Sequence, residues 1–162
     1  MPHVNERDVD WDVTEEGVTS FRRKPLSAAA AEDGDPAIGC SLYELPPGGR
    51  SWPYHYHAGN AEAVLVRDGA GTLRLAGEER SIEAGDYVAL PAGESGAHRV
   101  VNDGDEPLRY LMLSTMREPD VTVYPDSGKF GVYTGSPPGG RSGRDVEGYF
   151  RLDDAVDYWE GE

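Results

Sequence analysis

The chain has 162 residues, enough for one domain with a sizeable core. Thirty acidic residues stand against fifteen basic ones, a formal net charge of −15, and a surface of that sign repels nucleic acid and anionic membranes. Cys40 is the single cysteine, so no intrachain disulfide can form. With no long apolar run and a polar, acidic N-terminus, the sequence predicts a cytoplasmic protein without a transmembrane helix or signal peptide.

In chain order, residues 1–20 show weak alternation through Val9-Asp10-Trp11-Asp12-Val13, which suits a short edge strand or an arm. Phe21-Arg22-Arg23-Lys24-Pro25 is a basic island in an acidic chain. Ala28 to Ala31 allows a helical turn, but Gly34, Pro36 and Gly39 stop any helix, and 27–37 is read as a loop. Short extended runs follow: Cys40 to Leu45, Trp52 to His57, Ala61 to Arg67, Gly71 to Leu75, Glu79 to Ile82, Asp86 to Leu90, His98 to Asn102 and Leu108 to Ser114. Turn residues separate them, and Asp68-Gly69 between apolar runs predicts a hairpin. Past Thr115, Val121 to Tyr124 reads as a strand, Pro125 to Lys129 as a structured turn and 135–145 as a flexible loop. The aromatic tail (Tyr149, Phe150, Tyr158, Trp159) is expected to pack on the barrel or on a second subunit. Short, evenly spaced strands with almost no helical periodicity predict an all-β fold, an antiparallel sandwich or barrel.

The chemistry concentrates between Gly49 and Gly69. His55 and His57 are one residue apart, and on a strand residues i and i+2 share a face about 6.6 Å apart, so both imidazoles can reach one metal ion. A turn at Ala58-Gly59-Asn60 can return Glu62 as a third ligand. Glu62 has the parity of Val64 and Val66, which predicts a carboxylate aimed inward, where it would be costly unpaired. By parity from His55, Ser51 and Pro53 point with the ligands, while Trp52, Tyr54 and Tyr56 point away and pack under the arms or at a dimer interface. On the last barrel strand either Tyr110 and Met112 or Arg109 and Leu111 face inward; parity does not choose.

The spacing Gly49, His55, His57, Glu62, Gly69 resembles the first motif of the cupin superfamily. Gly85, Pro91, Gly93, His98 and Asn102 resemble the second, with four residues between Gly93 and His98 where the family pattern usually has two. The resemblance spans about residues 39–115 and implies a small antiparallel jelly-roll barrel. It further implies that His55, His57, Glu62 and His98 ligate one divalent transition metal per chain, an ion such as Mn, Fe, Ni, Cu or Zn. Three imidazoles and one carboxylate suit such an ion and leave open positions for substrate. Around this core the expected layout is an N-terminal arm over 1–38, a cupin barrel core over 39–115, and a C-terminal extension over 116–162 packing on the barrel or a dimer partner. Tyr124 to Lys129 is similar to a subgroup provisionally labelled sugar-phosphate isomerases.

These readings together predict a metal-dependent enzyme, an isomerase or oxygenase on a small polar metabolite. The alternative is a non-catalytic small-molecule binding or sensor cupin. A homodimer is expected, as for many single-domain cupins. Only Lys24 and Lys129 are lysines, and acidic excess with so little lysine resembles the proteins of halophilic archaea.

Overall fold

The computed structural model describes residues 2–140 and 143–162. In chain order the strands are β1 (Asp12–Glu16), β2 (Thr19–Lys24), β3 (Gly39–Leu45), β4 (Tyr56–His57), β5 (Glu62–Asp68), β6 (Ala70–Leu75) and β7 (Glu78–Glu83). They continue as β8 (Tyr87–Leu90), β9 (His98–Val101), β10 (Leu108–Ser114), β11 (Asp120–Tyr124), β12 (Lys129–Thr134) and β13 (Val146–Arg151). Every pairing is antiparallel, as expected for an all-β jelly roll.

One sheet has the order β1-β2-β3-β10-β5-β8. Two smaller sheets, β7-β6-β9 and β13-β12-β11-β4, are joined by the histidine segment. Arg50 bridges Val101 and His55 bridges His98 on one side, while Tyr56 and His57 pair with Val123 and Thr122 on the other. The core lies between these layers. Phe21, Tyr43, Leu45, Val64, Val66, Leu90, Leu108 and Tyr110 come from the six-stranded sheet, and Leu73, Ile82 and Val100 from the facing one. Along β5, Val64 and Val66 are fully buried while Leu65 between them is half-buried, as side chains pointing to opposite faces require.

Three sequence expectations change. The Asp68-Gly69 turn makes no hairpin, because β5 pairs with β10 and β8 while β6 pairs with β7 and β9. The chain crosses between sheets there. Gly69 has φ +80°, and a Cβ would lie 2.5 Å from the Pro107 carbonyl oxygen, so the glycine serves a close crossing. The hairpin is instead β6–β7, turning through Ala76 and Gly77, both at positive φ as a primed two-residue turn requires. The stretch 27–37 contains a short helix, α1 (Leu26–Ala30). Trp52 to His57 is extended only in part, since regular pairing begins at Tyr56.

Both chain ends add strands. Residues 12–24 form the β1–β2 hairpin, whose Phe21 is 2% exposed and touches Tyr43 and Trp52 at ring-centroid distances of 5.3 and 4.7 Å. Trp11 lies under Arg22 and Lys24 of the basic island. β12 and β13 extend the sheet begun by β11, whereas Val156, Tyr158 and Trp159 beyond them are exposed. Within the loop 135–145, Ser136 and Pro137 are buried; Arg141 and Ser142 lie outside the described residues.

Candidate metal centre

His55, His57, Glu62 and His98 meet on the wall of one cavity of about 370 Å³. The ligating atoms of His55, Glu62 and His98 all lie within 4.8 Å of one another. His57 joins through the carboxylate: its Nε2 is 3.5 Å from Glu62 Oε2, and His98 Nε2 is 3.4 Å from the same oxygen. All three imidazoles are buried, with the His55 ring 5.2 Å from His57 and 4.7 Å from His98 between centroids.

Each ring is turned by a bond at its other nitrogen. His55 Nδ1 lies 2.7 Å from the Pro53 carbonyl oxygen and His98 Nδ1 2.9 Å from that of Gly96. His57 Nδ1 lies 2.6 Å from Asp120 Oδ2, with Thr122 Oγ1 at 3.1 Å. Carbonyls and carboxylates only accept, so each Nδ1 carries the proton and each Nε2 keeps its lone pair for the cavity. Such outer bonds are the usual way a metal-ligating histidine is oriented.

Electrostatics separate the three rings. Burial, reinforced by His98 and His57, holds His55 well below the ordinary histidine pKa. Burial also lowers His98, against the opposing pull of Glu62 and the Gly96 carbonyl. For His57 burial is again the largest influence, but the Asp120 hydrogen bond and the Glu62 charge outweigh it and the pKa rises. Asp120 is lowered: burial opposes ionisation, and its bonds to His57 and the Gly59 amide overcome that.

Glu62 Oε2 is buried with no hydrogen-bond partner, an arrangement that costs about 1–3 kcal/mol or more for a charged group. Its neighbours 3.4 and 3.5 Å away are imidazole nitrogens that carry lone pairs. A cation among these four donors satisfies all of them together. Two neutral low-pKa imidazoles, a third oriented by a carboxylate, and one acidic oxygen therefore fit a divalent transition metal.

The sequence departure before His98 has a local form. Glu94–Gly96 make one 3-10 turn, and a Cβ on Gly96 would run into the Pro91 carbonyl oxygen. That turn brings the Gly96 carbonyl to His98 Nδ1. Asn102 closes the same strand by donating to Leu45 and Glu106 carbonyls and accepting from the Gly104 amide.

Other predicted neighbours sort as follows. Ser51 and Pro53 line the cavity, but so does Trp52, because residues 51–54 do not keep strand alternation. Tyr54 is buried beneath the Arg74 guanidinium, 3.7 Å from its ring centroid. Tyr110 and Met112 face the cavity, and Arg109 lies outside, bonded to Glu44 at 2.6 Å. The sequence placed a strand over Val121 to Tyr124 but assigned it no part in the site; as β11 its Asp120, Thr122 and Tyr124 alternate onto the histidines, and Tyr124 stacks on His55 at 5.9 Å. The alternation Asp-Val-Thr-Val-Tyr was the available signal.

Residues 41–114 match the Cupin_2 family, described as a cupin domain. No curated protein matches the sequence. Among solved structures, the chain is 28% identical to a protein of Acidithiobacillus ferrooxidans provisionally named a sugar phosphate isomerase, with TM-score 0.71 over 86% of this chain and 81% of that one. It is 23% identical to a sugar phosphate isomerase from a cupin superfamily of Silicibacter pomeroyi, with TM-score 0.77 and 98% of each chain covered. The polyketide cyclase RemF of Streptomyces resistomycificus is 22% identical, with TM-score 0.60 over 74% of this chain and 83% of that one. Residues 41–114 are thus similar to a cupin domain, and the chain shares its fold with these solved structures.

Proposed function

We propose that this protein is a metal-dependent enzyme acting on a small polar metabolite, an isomerase or an oxygenase, with His55, His57, Glu62 and His98 holding one divalent transition metal. The unpartnered Glu62 oxygen facing three Nδ1-anchored imidazoles, on the wall of a cavity of about 370 Å³, is the observation that carries this reading. A bound divalent ion would act as a Lewis acid toward a carbonyl or other oxygen of the substrate. The chain itself supplies the orientation. Pro53, Gly96 and Asp120 fix the rings, while Tyr43, Tyr110 and Met112 shape the adjoining space. The name borne by the protein 28% identical to this one favours isomerase over oxygenase.

A non-catalytic binding or sensor protein is the second reading. It is favoured by the cavity's lining, in which Glu62 is the one carboxylate among the described residues, so no second carboxylic acid stands ready for proton transfer. Elemental analysis should find about one transition-metal ion per chain, and His55→Ala or Glu62→Gln should reduce it below one tenth. Unchanged metal content in both variants would remove the assignment. Oxygen uptake and aldose–ketose conversion then separate oxygenase from isomerase, and ligand-induced thermal shifts without turnover identify the sensor.

We also infer a cytoplasmic homodimer from a high-salt cell, with the exposed aromatic side chains of 149–159 as its contact. Sedimentation of the wild type against Tyr158→Ser/Trp159→Ser tests the dimer.

A further inference from the structure

Glu62 is not alone among the cavity's polar groups in lacking a partner. The Tyr110 hydroxyl, on a side chain with no exposed surface, makes no hydrogen bond, although it lines the same cavity. The polar side chain beside it is Ser51, whose hydroxyl oxygen already accepts from the Val100 amide at 3.0 Å. A buried phenol kept without a partner destabilises the fold unless something else satisfies it.

Its position in the sheet is informative. Arg23 on β2 lies opposite Tyr43 on β3, and Tyr43 lies opposite Tyr110 on β10. All three side chains line the cavity, so they form one cross-strand row along its wall. The two phenol rings are parallel within 2°, 5.2 Å apart. Tyr43 accepts a hydrogen bond from Trp52 Nε1 at 3.0 Å, which leaves its own O–H to donate. Among the described residues, the one carboxylate paired with Arg23 is the exposed Asp12, at 3.8 Å. The other arginine of the lining, Arg144, is bonded to Glu147 at 2.5 Å.

Charge points the same way. In a chain of net charge −15, the formally charged lining among the described residues is Arg23, Arg144 and Glu62, two positive against one negative. We propose that the Arg23–Tyr43–Tyr110 row binds the oxyanion end of the ligand, a carboxylate or a phosphate, with the guanidinium meeting the charge and the phenols donating to its oxygens. A planar guanidinium fork suits either group, and phenol donors strengthen with a charged acceptor. The proposal rests on reading the cavity as a ligand site, but it does not require the metal.

The test is calorimetric titration of the full-length protein, as purified and after metal removal, with inorganic phosphate and with glycolate. At least one of them should bind, and the tighter identifies the group. Arg23→Gln should weaken that binding about tenfold or more, and Tyr110→Phe about threefold to tenfold without lowering Tm. Arg22→Gln removes the same charge from a neighbouring residue bonded to Glu44, and should change affinity less than about twofold. If Tyr110→Phe fails to fold, the Arg22/Arg23 pair decides. Binding of neither anion, or equal losses in Arg22→Gln and Arg23→Gln, overturns the proposal. So does binding that disappears with the metal, since the anion would then sit on the ion. Metal content measured on the same samples reports separately on the metal centre.

Discussion

The His57–Asp120 contact is the strongest directional interaction in the centre, 2.6 Å between a buried imidazole and a buried carboxylate. Replacing it by Asp120→Asn keeps the shape and removes the charge. Metal affinity should drop about tenfold to a hundredfold, measured by competition with a chromogenic chelator, because the ring loses both its anchor and its added basicity. Protonation gives a second check on the metal-free protein. His55 and His98 have lowered pKa values, so below about pH 6.5 the unfolded chain binds protons that the folded chain excludes. Stability should fall there, by up to about 2.7 kcal/mol per pH unit for two such groups. His57 is raised and works oppositely: its contribution is complete below about pH 6.5 and is lost as pH climbs through its folded value. Asp120 is lowered, so its contribution holds above about pH 3.9 and disappears as pH falls through its folded value. Thermal melts across pH 4–9 should therefore peak near neutrality, and His55→Gln should flatten the acid limb. At this scale the sequence was informative about Glu62, since its parity with Val64 and Val66 already aimed it inward. It was silent on Asp120, which lies 63 positions from His57 and acts through a contact that no local spacing encodes.

At the scale of elements, the β1–β2 hairpin shows how an unpromising stretch becomes structural. Its alternation is weak, and only Phe21 enters the core, yet that ring touches Tyr43 and Trp52 and places Arg23 beside the cavity. Phe21→Ala should cost about 3–5 kcal/mol in urea unfolding. It should also disturb the Trp52–Tyr43 hydrogen bond, visible as a shift in tryptophan fluorescence. Strand positions from β3 to β11, apart from the two-residue β4, could be read from alternation and from the turn residues between them. Strand partners could not. Asp68-Gly69 has hairpin chemistry, but the inward faces of β5 and β6 are buried better in opposite sheets, and tertiary packing overrode the local cue. Likewise 51–54 lost its alternation where the chain bridges two sheets, which turned Trp52 toward the cavity against its parity.

For the whole molecule, the surplus of fifteen negative charges is the dominant long-range force. Some acidic residues are committed to pairs, among them the buried Glu44, held by both Arg22 and Arg109, and the buried Asp120, held by His57. Self-repulsion of the remainder is screened by salt, with a Debye length of about 10 Å at 0.1 M and about 3 Å at 1 M. Tm should therefore climb steadily between 0.1 and 2 M KCl, and the high-salt origin would be discarded if the protein were equally stable in dilute buffer. Composition made this expectation available without any structure, since net charge depends on counts and not on contacts.

The placement of β11 has a consequence for the order of events in the life of the chain. Residues 41–114 contain all three buried histidines and Glu62, but the acceptor that sets the proton of His57 arrives with Asp120. During synthesis the barrel strands can therefore emerge and pair while one imidazole is still free to rotate. The donor set reaches its final geometry only when the next few residues leave the ribosome and Asp120 docks on His57.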